Sequence, residues 1–429
     1  MVEFPSVVEF IRRALGTFHD LAQLGGLAPG PLPQPEALLT DRARLAGYAP
    51  QGRTSPGGSF RILRTADARW LGLSLARPAD LASVPALTLG ALPEPPAGRP
   101  DWPAMDAWAA TQQADAAYRQ ALLLDIPAAL PDRRQRARHP SPSARPRAFP
   151  GRLPHGVRVP RDTWQPSTPA LRAVPEKSAP GPAWSTPRPR PLVVDLSSLW
   201  AGPLCAHLLG LAGARVVKVE STRRPDGARS GPSDFYDLLH GGHESVAFDF
   251  TRPADLARLE AVLSLADVVI EASRPRALAQ LGIDPAAVAA ARPGQTWVSI
   301  TAYGRTGPDA NRPGFGDDVA FEAGLHDTAP DDPDTPTVHG DAIADPLTGV
   351  HAAVAAMSGL VTGGGAMFDV SMYDAVTLAL STAPRSRKAP APRRTPRPRS
   401  GARTSAPPPH KAPELGAHTA AFLAEFDIA

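Results

Sequence analysis

A chain of 429 residues with 43% hydrophobic side chains can bury more than one core, and its single cysteine, Cys205, excludes an intramolecular disulfide. The formal net charge of +3 gives no overall polyanion-binding character, while 52 prolines mark parts of the chain as linker rather than fold. No apolar run approaches the ~18 residues of a membrane span, and "MVEFPSVVEFIRRALG" carries acids and no cleavage-site pattern, so the expectation is a cytoplasmic protein.

Residues 1–130 read as folded. "SVVEFIRRALGTFHDLAQL" has helical apolar spacing, "RWLGLSLA" (Arg69 to Ala76) reads as a strand, and "MDAWAATQQADAAYRQALLLD" predicts one helix of good helix formers. Residues 131–190 are rich in Pro, Arg and Ser and offer too little apolar surface to offset ordering entropy; they read as a linker, with one short docked piece around Val157 to Trp164.

Residues 191–380 change character. "LVVDLS", "ARVVKVE", "DVVIEA", "QTWVSIT" and "AMFDVSM" predict strands, and "LCAHLLGLAG" and "LARLEAVLSLA" predict helices between them. Alternating near-continuous apolar strands and helices specify an α/β fold, a doubly wound, Rossmann-like parallel sheet covered on both faces. Gly363 to Gly365 predict a tight helix-to-strand turn. Residues 381–412 form a basic Pro-rich linker, with eight Arg or Lys and no acid between Arg385 and Arg403. Such a run reads as a solvated tether, and nucleic acid is not the expected partner. Residues 413–429 predict a short amphipathic helix from about Ala417.

Few motifs carry chemistry. Ligands of doubly wound sheets bind outside the carboxyl ends of the strands, which here carry "SSLWAGP" and Lys218-Val219-Glu220. A G-x-G-x-x-G phosphate turn is missing, as is a G-x-S-x-G nucleophile elbow. "HGGHES" (His240 to Ser245) is the nearest approach to a metal site and nothing supports it; the histidines read as turn and surface residues, so no metal is expected. Cys205 lies among apolar residues and reads as core.

Asp345, in "GDAIADPLTG", precedes a proline at the mouth of a small-residue helix. N-capping accounts for it locally, since the carboxylate would accept free first-turn N–H groups. The same position would hold the carboxylate ionised through the helix dipole, and an aspartate can attack an activated acyl carbon. Gly340, Ala342, Ala344 and Gly349 would leave room for a bulky ligand, and spacing does not choose between Asp345 and Asp341.

The blocks "VVDLSSLWAGPLCAHLLGLAGARVVKVE", "ESVAFDFTRPADLARLEAVLSLADVVIEASRPRALAQLGID", "RPGQTWVSITAYGRTGPDANRPGFGDD", "TVHGDAIADPLTGVHAAVAAM" and "FDVSMYDAV" follow one another between Leu192 and Val376. Together they resemble the class III CoA-transferases, also called CaiB/BaiF. The resemblance implies Asp345 as the catalytic aspartate, acyl-CoA and carboxylic acid substrates, and a homodimer of interlaced subunits. Coenzyme A is then a co-substrate, and no separate cofactor is expected. In the implied mechanism the aspartate passes through an acyl anhydride and an aspartyl-CoA thioester.

Position by position, the resemblance implies CoA contacts at Leu199, Trp200, Ala201, Ser221, Phe248 to Thr251, Ala272, Ser273, Arg274, Gln280, Pro313, Gly314, Phe315 and Gly316. The family's basic pair before "SV" is His243-Glu244 here, its Asn-Phe is Ala272-Ser273, and its basic helix residue is Gln280. Phosphate binding would then shift to Arg223, Arg224, Arg274 or Arg276. "GRTSPGGSFRILRTADARWLGLSLA" resembles a segment that leads into the family's smaller α+β domain, which implies a reordered chain with its small-domain region first.

Two alternatives differ in what they require. An α-methylacyl-CoA racemase pairs the aspartate with a histidine where "RPGFGDD" has Phe315 and Gly316, leaving only Asp317 or Asp318 as a substitute base. A non-catalytic degenerate family member would account for the altered CoA positions.

Overall fold

A computed structural model describes residues 5–131, 171–174, 190–381 and 410–429. A small antiparallel sheet is built from β1 (Phe60–Arg64), β2 (Trp70–Ser74) and β3 (Ala128–Ala129). The main sheet has β4 (Leu171–Val174) at one edge, followed in chain order by β5 (Leu192–Asp195), β6 (Arg215–Ser221), β7 (Glu244–Phe248), β8 (Val268–Glu271) and β9 (Thr296–Thr301). A hairpin of β10 (Asp327–Ala329) and β11 (Asp332–Thr337) precedes the last main-sheet strand, β12 (Ala366–Ser371). The spatial order is β4-β12-β9-β8-β5-β6-β7, with every neighbouring pair parallel except β4 with β12. Counted from β5, the six parallel strands run 3-2-1-4-5-6, the order of the doubly wound fold. The order reverses between β5 and β8, the switch point at whose carboxyl ends doubly wound sheets bind their ligands.

Both faces are covered, which is why strands such as Leu192–Asp195 and Thr296–Thr301 are buried throughout. One face packs against the Ala201–Leu211 and Ala344–Thr362 helices; the other packs against the Pro253–Leu265 helix, with Phe422 of the C-terminal Thr419–Glu425 helix in that core. A separate core lies between the small sheet and the Trp102–Ala109 and Ala114–Leu123 helices. The two bodies meet where Phe321 presses on Gly72, at which an added Cβ would lie 2.8 Å from the ring.

The structure departs from the sequence expectations at five points. Within the expected 131–190 linker, Leu171–Val174 pairs with Met367 to Val370 and closes the sheet edge; the piece at Val157 to Trp164 lies outside the described residues, as does the basic run from Arg385 to Arg403. The single helix expected from Met105 to Asp125 is two, because the Gln112 carbonyl turns to accept the Ala66 N–H and Asp67 accepts the Ala114 N–H. The Pro5–Leu24 helix lies not in the small core but in the large one, where Val7, Ile11 and Phe18 pack with the Ala344–Thr362 helix.

His240 and His243 are not turn-surface residues. They are buried and stack with His207, the His240–His243 and His207–His243 ring centroids lying 5.8 and 6.3 Å apart. Finally, the small residues of the Ala344–Thr362 helix do not all leave ligand space. A Cβ on Gly349 would lie 2.6 Å from the Ala201 carbonyl, so this glycine allows two helices to touch.

Cys205 is fully buried as expected, and its thiol is pushed up by burial. Gly363 ends its helix in the left-handed conformation, and Gly364 and Gly365 also have positive φ on the way to β12.

Candidate active site

Three loops at the carboxyl ends of the sheet converge on Asp345. The first follows β5. Asp195 accepts the Ser197 backbone N–H at 2.8 Å and its hydroxyl, and Lys218 reaches in from β6 to donate to the Ser197 carbonyl at 2.8 Å. Asp226 then accepts the Leu199 N–H at 3.0 Å, holding Leu199 at φ 70. This left-handed, non-glycine position is a sparsely populated one that its surroundings must enforce. The second loop is "PGFG", which ends at the Gly316–Ala323 helix. The third is the turn from Gly340 to Ala344, where Ala342 is also left-handed at φ 44.

Asp345 is the second residue of its helix, and Ile343 holds the cap position with no side-chain cap. The capping explanation therefore fails. The carboxylate instead lies against the backbone amides of Ala201 and Gly316, which belong to other loops and pull its pKa down. Gly316 is required there: an added Cβ would sit 2.1 Å from the Asp345 Oδ2. The helix dipole does not hold the group at an ordinary carboxylate pKa. Burial pushes it up to about 7, against the lowering pull of Arg42 and the two amides. Asp345 still keeps partial solvent access, which a group that meets a ligand needs.

Its neighbours form a dense acidic cluster. Asp341 is 2% exposed and pairs with Arg42 at 2.6 Å. Asp317 accepts the Ala342 N–H at 2.8 Å and is pushed to about 7 by burial and by the Asp341 charge. Asp318, also raised to about 7 by burial, accepts the Phe315 N–H and the Ser74 hydroxyl, the latter at 2.7 Å. Both of the carboxylates considered as substitute racemase bases are thus engaged in bracing backbone. Among the described residues, no group of three or more His, Cys, Asp or Glu is placed to hold a metal ion.

Of the expected CoA positions, those up to Arg274 lie at or just after the carboxyl ends of β5, β6, β7 and β8, Gln280 ends the Pro275–Gln280 helix, and Pro313 to Gly316 lead into the Gly316–Ala323 helix; their exposures differ. Leu199, Thr251, Ala272 and Gln280 are exposed, and Ser221, Ser273, Arg274, Gly314 and Phe315 are partly so. Trp200, Ala201, Phe248, Pro313 and Gly316 are buried; the Phe248 side chain belongs to the core under the sheet, so only its backbone reaches the end of β7. Of the arginines expected to meet phosphates, Arg223 pairs with Asp249 at 2.9 Å, and Arg274 and Arg276 share Asp125 at 2.9 and 2.7 Å. Arg224 is exposed. A cavity of about 510 Å³ lined by Trp70, Phe321, His326 and Pro336 lies away from Asp345, so the acid cluster rather than this hollow marks the site.

The family "CoA-transferase family III" matches residues 192–419, more than half of the chain. This protein belongs to CoA-transferase family III. Its similarity to individual members is moderate. It is 30% identical over 205 residues to the succinyl-CoA–D-citramalate CoA-transferase of Chloroflexus aurantiacus, covering 44% of this chain and 50% of the relative. It is 31% identical over 201 residues to the human succinyl-CoA:glutarate CoA-transferase, covering 44% and 46%. The crystal structure of a CAIB/BAIF family protein from Brucella suis superposes with a TM-score of 0.42 at 30% identity, covering 44% of this chain and 54% of that one. The chain spans about half the length of the curated relatives it matches.

The family III segment contains the whole parallel sheet and Asp345 but not Arg42. Sequence reasoning missed Arg42, which sits in the Pro35–Ala46 helix and meets its partner Asp341 from 299 positions away. No local pattern in "DRARLAGY" announces such a contact.

Proposed function

We propose that the protein transfers coenzyme A from an acyl-CoA donor to a carboxylic acid acceptor, with Asp345 as the nucleophile. The observation that carries this reading is a partly accessible carboxylate, raised to about 7, set against amides from two separate loops at the carboxyl end of a doubly wound sheet. In the first step an Asp345 oxygen attacks the thioester carbonyl, the C–S bond breaks, and CoA leaves as thiolate from an aspartyl acyl anhydride. The thiolate then attacks the aspartyl carbonyl, releasing the donor acid and leaving an aspartyl-CoA thioester. The acceptor carboxylate attacks that thioester, freeing thiolate again. The thiolate finally takes the acceptor acyl carbon and returns Asp345 as a carboxylate. Every step exchanges one activated acyl group for another, so charge and protons balance without an external energy source.

CoA would lie across the strand ends, over the Leu199, Ser221, Thr251 and Ala272 loops, with Arg224 and the Arg274–Arg276 pair nearest its phosphates. A homodimer is part of the same proposal and would scatter light at twice the 45.0 kDa chain mass. The activity test is a panel of acyl-CoA donors, succinyl-CoA included, against mono- and dicarboxylic acids such as citramalate and glutarate, read by mass of the CoA esters. Wild-type protein should form acceptor-CoA and Asp345→Asn should not. Equal turnover by the two proteins would defeat the proposal.

A further inference from the structure

We propose that Arg42 is the positioning residue of this site, delivered from outside the family III segment to hold Asp341 and Trp200 so that Asp345 faces the Ala201 and Gly316 amides. This rests on the reading of Asp345 as the reactive group. Three geometric observations converge on one guanidinium. Its Nη1 lies 2.6 Å from Asp341 Oδ1, and Asp341 is almost fully buried. Its central carbon lies 5.6 Å from the Trp200 ring centroid and 5.7 Å from that of Tyr48, so the cation is within reach of two aromatic rings. Trp200 immediately precedes Ala201, whose amide lies against Asp345, so one side chain touches two of the three loops that meet at the carboxylate.

The charged groups facing Asp345 come from each packed element. Arg42 comes from the Pro35–Ala46 helix and Asp341 from the preceding turn, while Asp317 of the Gly316–Ala323 helix acts on Asp341 and braces Ala342. Arg42 favours the ionised form of Asp345 and Asp341 opposes it.

Two substitutions with opposite expected signs test this without substrate. Protein labelled with 13C at the aspartate carboxyl carbons is titrated by NMR, and the Asp345 resonance is assigned by its loss in Asp345→Asn. Arg42→Met should raise the Asp345 midpoint by about one pH unit or more, as expected when an opposite charge is withdrawn from a buried carboxylate. Arg42→Lys should leave it nearer the wild-type value, and Asp341→Asn should lower it. If Arg42→Met does not fold, Asp341→Asn decides. A folded Asp341→Asn protein with an unchanged or raised midpoint overturns the proposal, as does an unchanged midpoint in folded Arg42→Met. In the transfer assay the acid limb of kcat should move with the same midpoints. Titration shifts of the stated signs in a protein that transfers no CoA would sink the proposed reaction and leave the Arg42 assignment standing.

Discussion

Two buried charge clusters sit at the same end of the sheet, and they are balanced differently. Under the β5 loop, Lys218 lies 3.0 Å from Asp226 and 3.7 Å from Asp195, while Arg229 grips Glu220, so two cations face three acids within bonding distance. Around Asp345, a single cation, Arg42, serves Asp341, Asp317 and Asp345. In the first cluster the hydrogen bonds go to loop backbone, at Ser197, Leu199 and Asp226, and the result is a fixed shape. In the second, burial raises Asp317 and Asp345 to about 7, and the one cation nearby does not pull them back down. The lesson is a division of labour: compensated charge builds the scaffold, and under-compensated charge supplies a group poised between acid and base.

The comparison can be broken from either side. The largest effect is expected at the proposed nucleophile: Asp345→Asn should lower CoA transfer on the order of 10⁴-fold with little change in Tm, the magnitude typical of losing a nucleophile. Lys218→Met should show the reverse signature. Removing one partner of a buried pair costs about 3–5 kcal/mol, so denaturant unfolding should report a large loss of stability. Gly316→Ala comes next. Its Cβ would lie 2.1 Å from Asp345 Oδ2 and 2.5 Å from the Ala342 carbonyl oxygen, so the carboxylate and the turn before it must both shift, which should cost about 10²-fold in kcat together with a drop in Tm.

The smallest effect concerns the histidine cluster, which belongs to the scaffold. Burial lowers His207 to about 4 and His243 to about 3, and lowers His240 as well. Unfolded histidine takes up its proton near about 6.5, so the neutral folded rings contribute stability that is complete above that pH and is lost as pH falls toward 4. The raised carboxyls Asp317, Asp318 and Asp345 act in the opposite sense, since the folded state binds their protons first between about 4 and 7. His243→Gln should therefore flatten any fall in Tm between about pH 7 and 5; an unaltered slope would show that this ring does not share in it.

Much of this architecture was legible in the sequence because its signals are local. The Val-rich strands, the "LAG" and "GGG" helix ends and the Asp345 block each announce themselves within a few residues. What escaped depends on contacts between distant segments. The β4 strand is four residues in a Pro-rich stretch whose only reason to be extended is the open edge of β12. The first helix looked like part of a leading small domain because its amphipathic pattern shows that it needs a core, not which one. Asp345 looked like a cap because the residue order permits one, whereas the amides that lie against it belong to Ala201 and Gly316. Arg42 is the extreme case, an ordinary helical arginine until the fold brings it against Asp341.

The most direct measurement is covalent trapping. The protein is incubated with an acyl-CoA donor, quenched with hydroxylamine, digested, and read by peptide mass. An aspartyl hydroxamate on the peptide bearing Asp345, absent without acyl-CoA, is the predicted result. Modification at Asp341 or Asp317 instead, or sustained transfer with no modified aspartate, would contradict it.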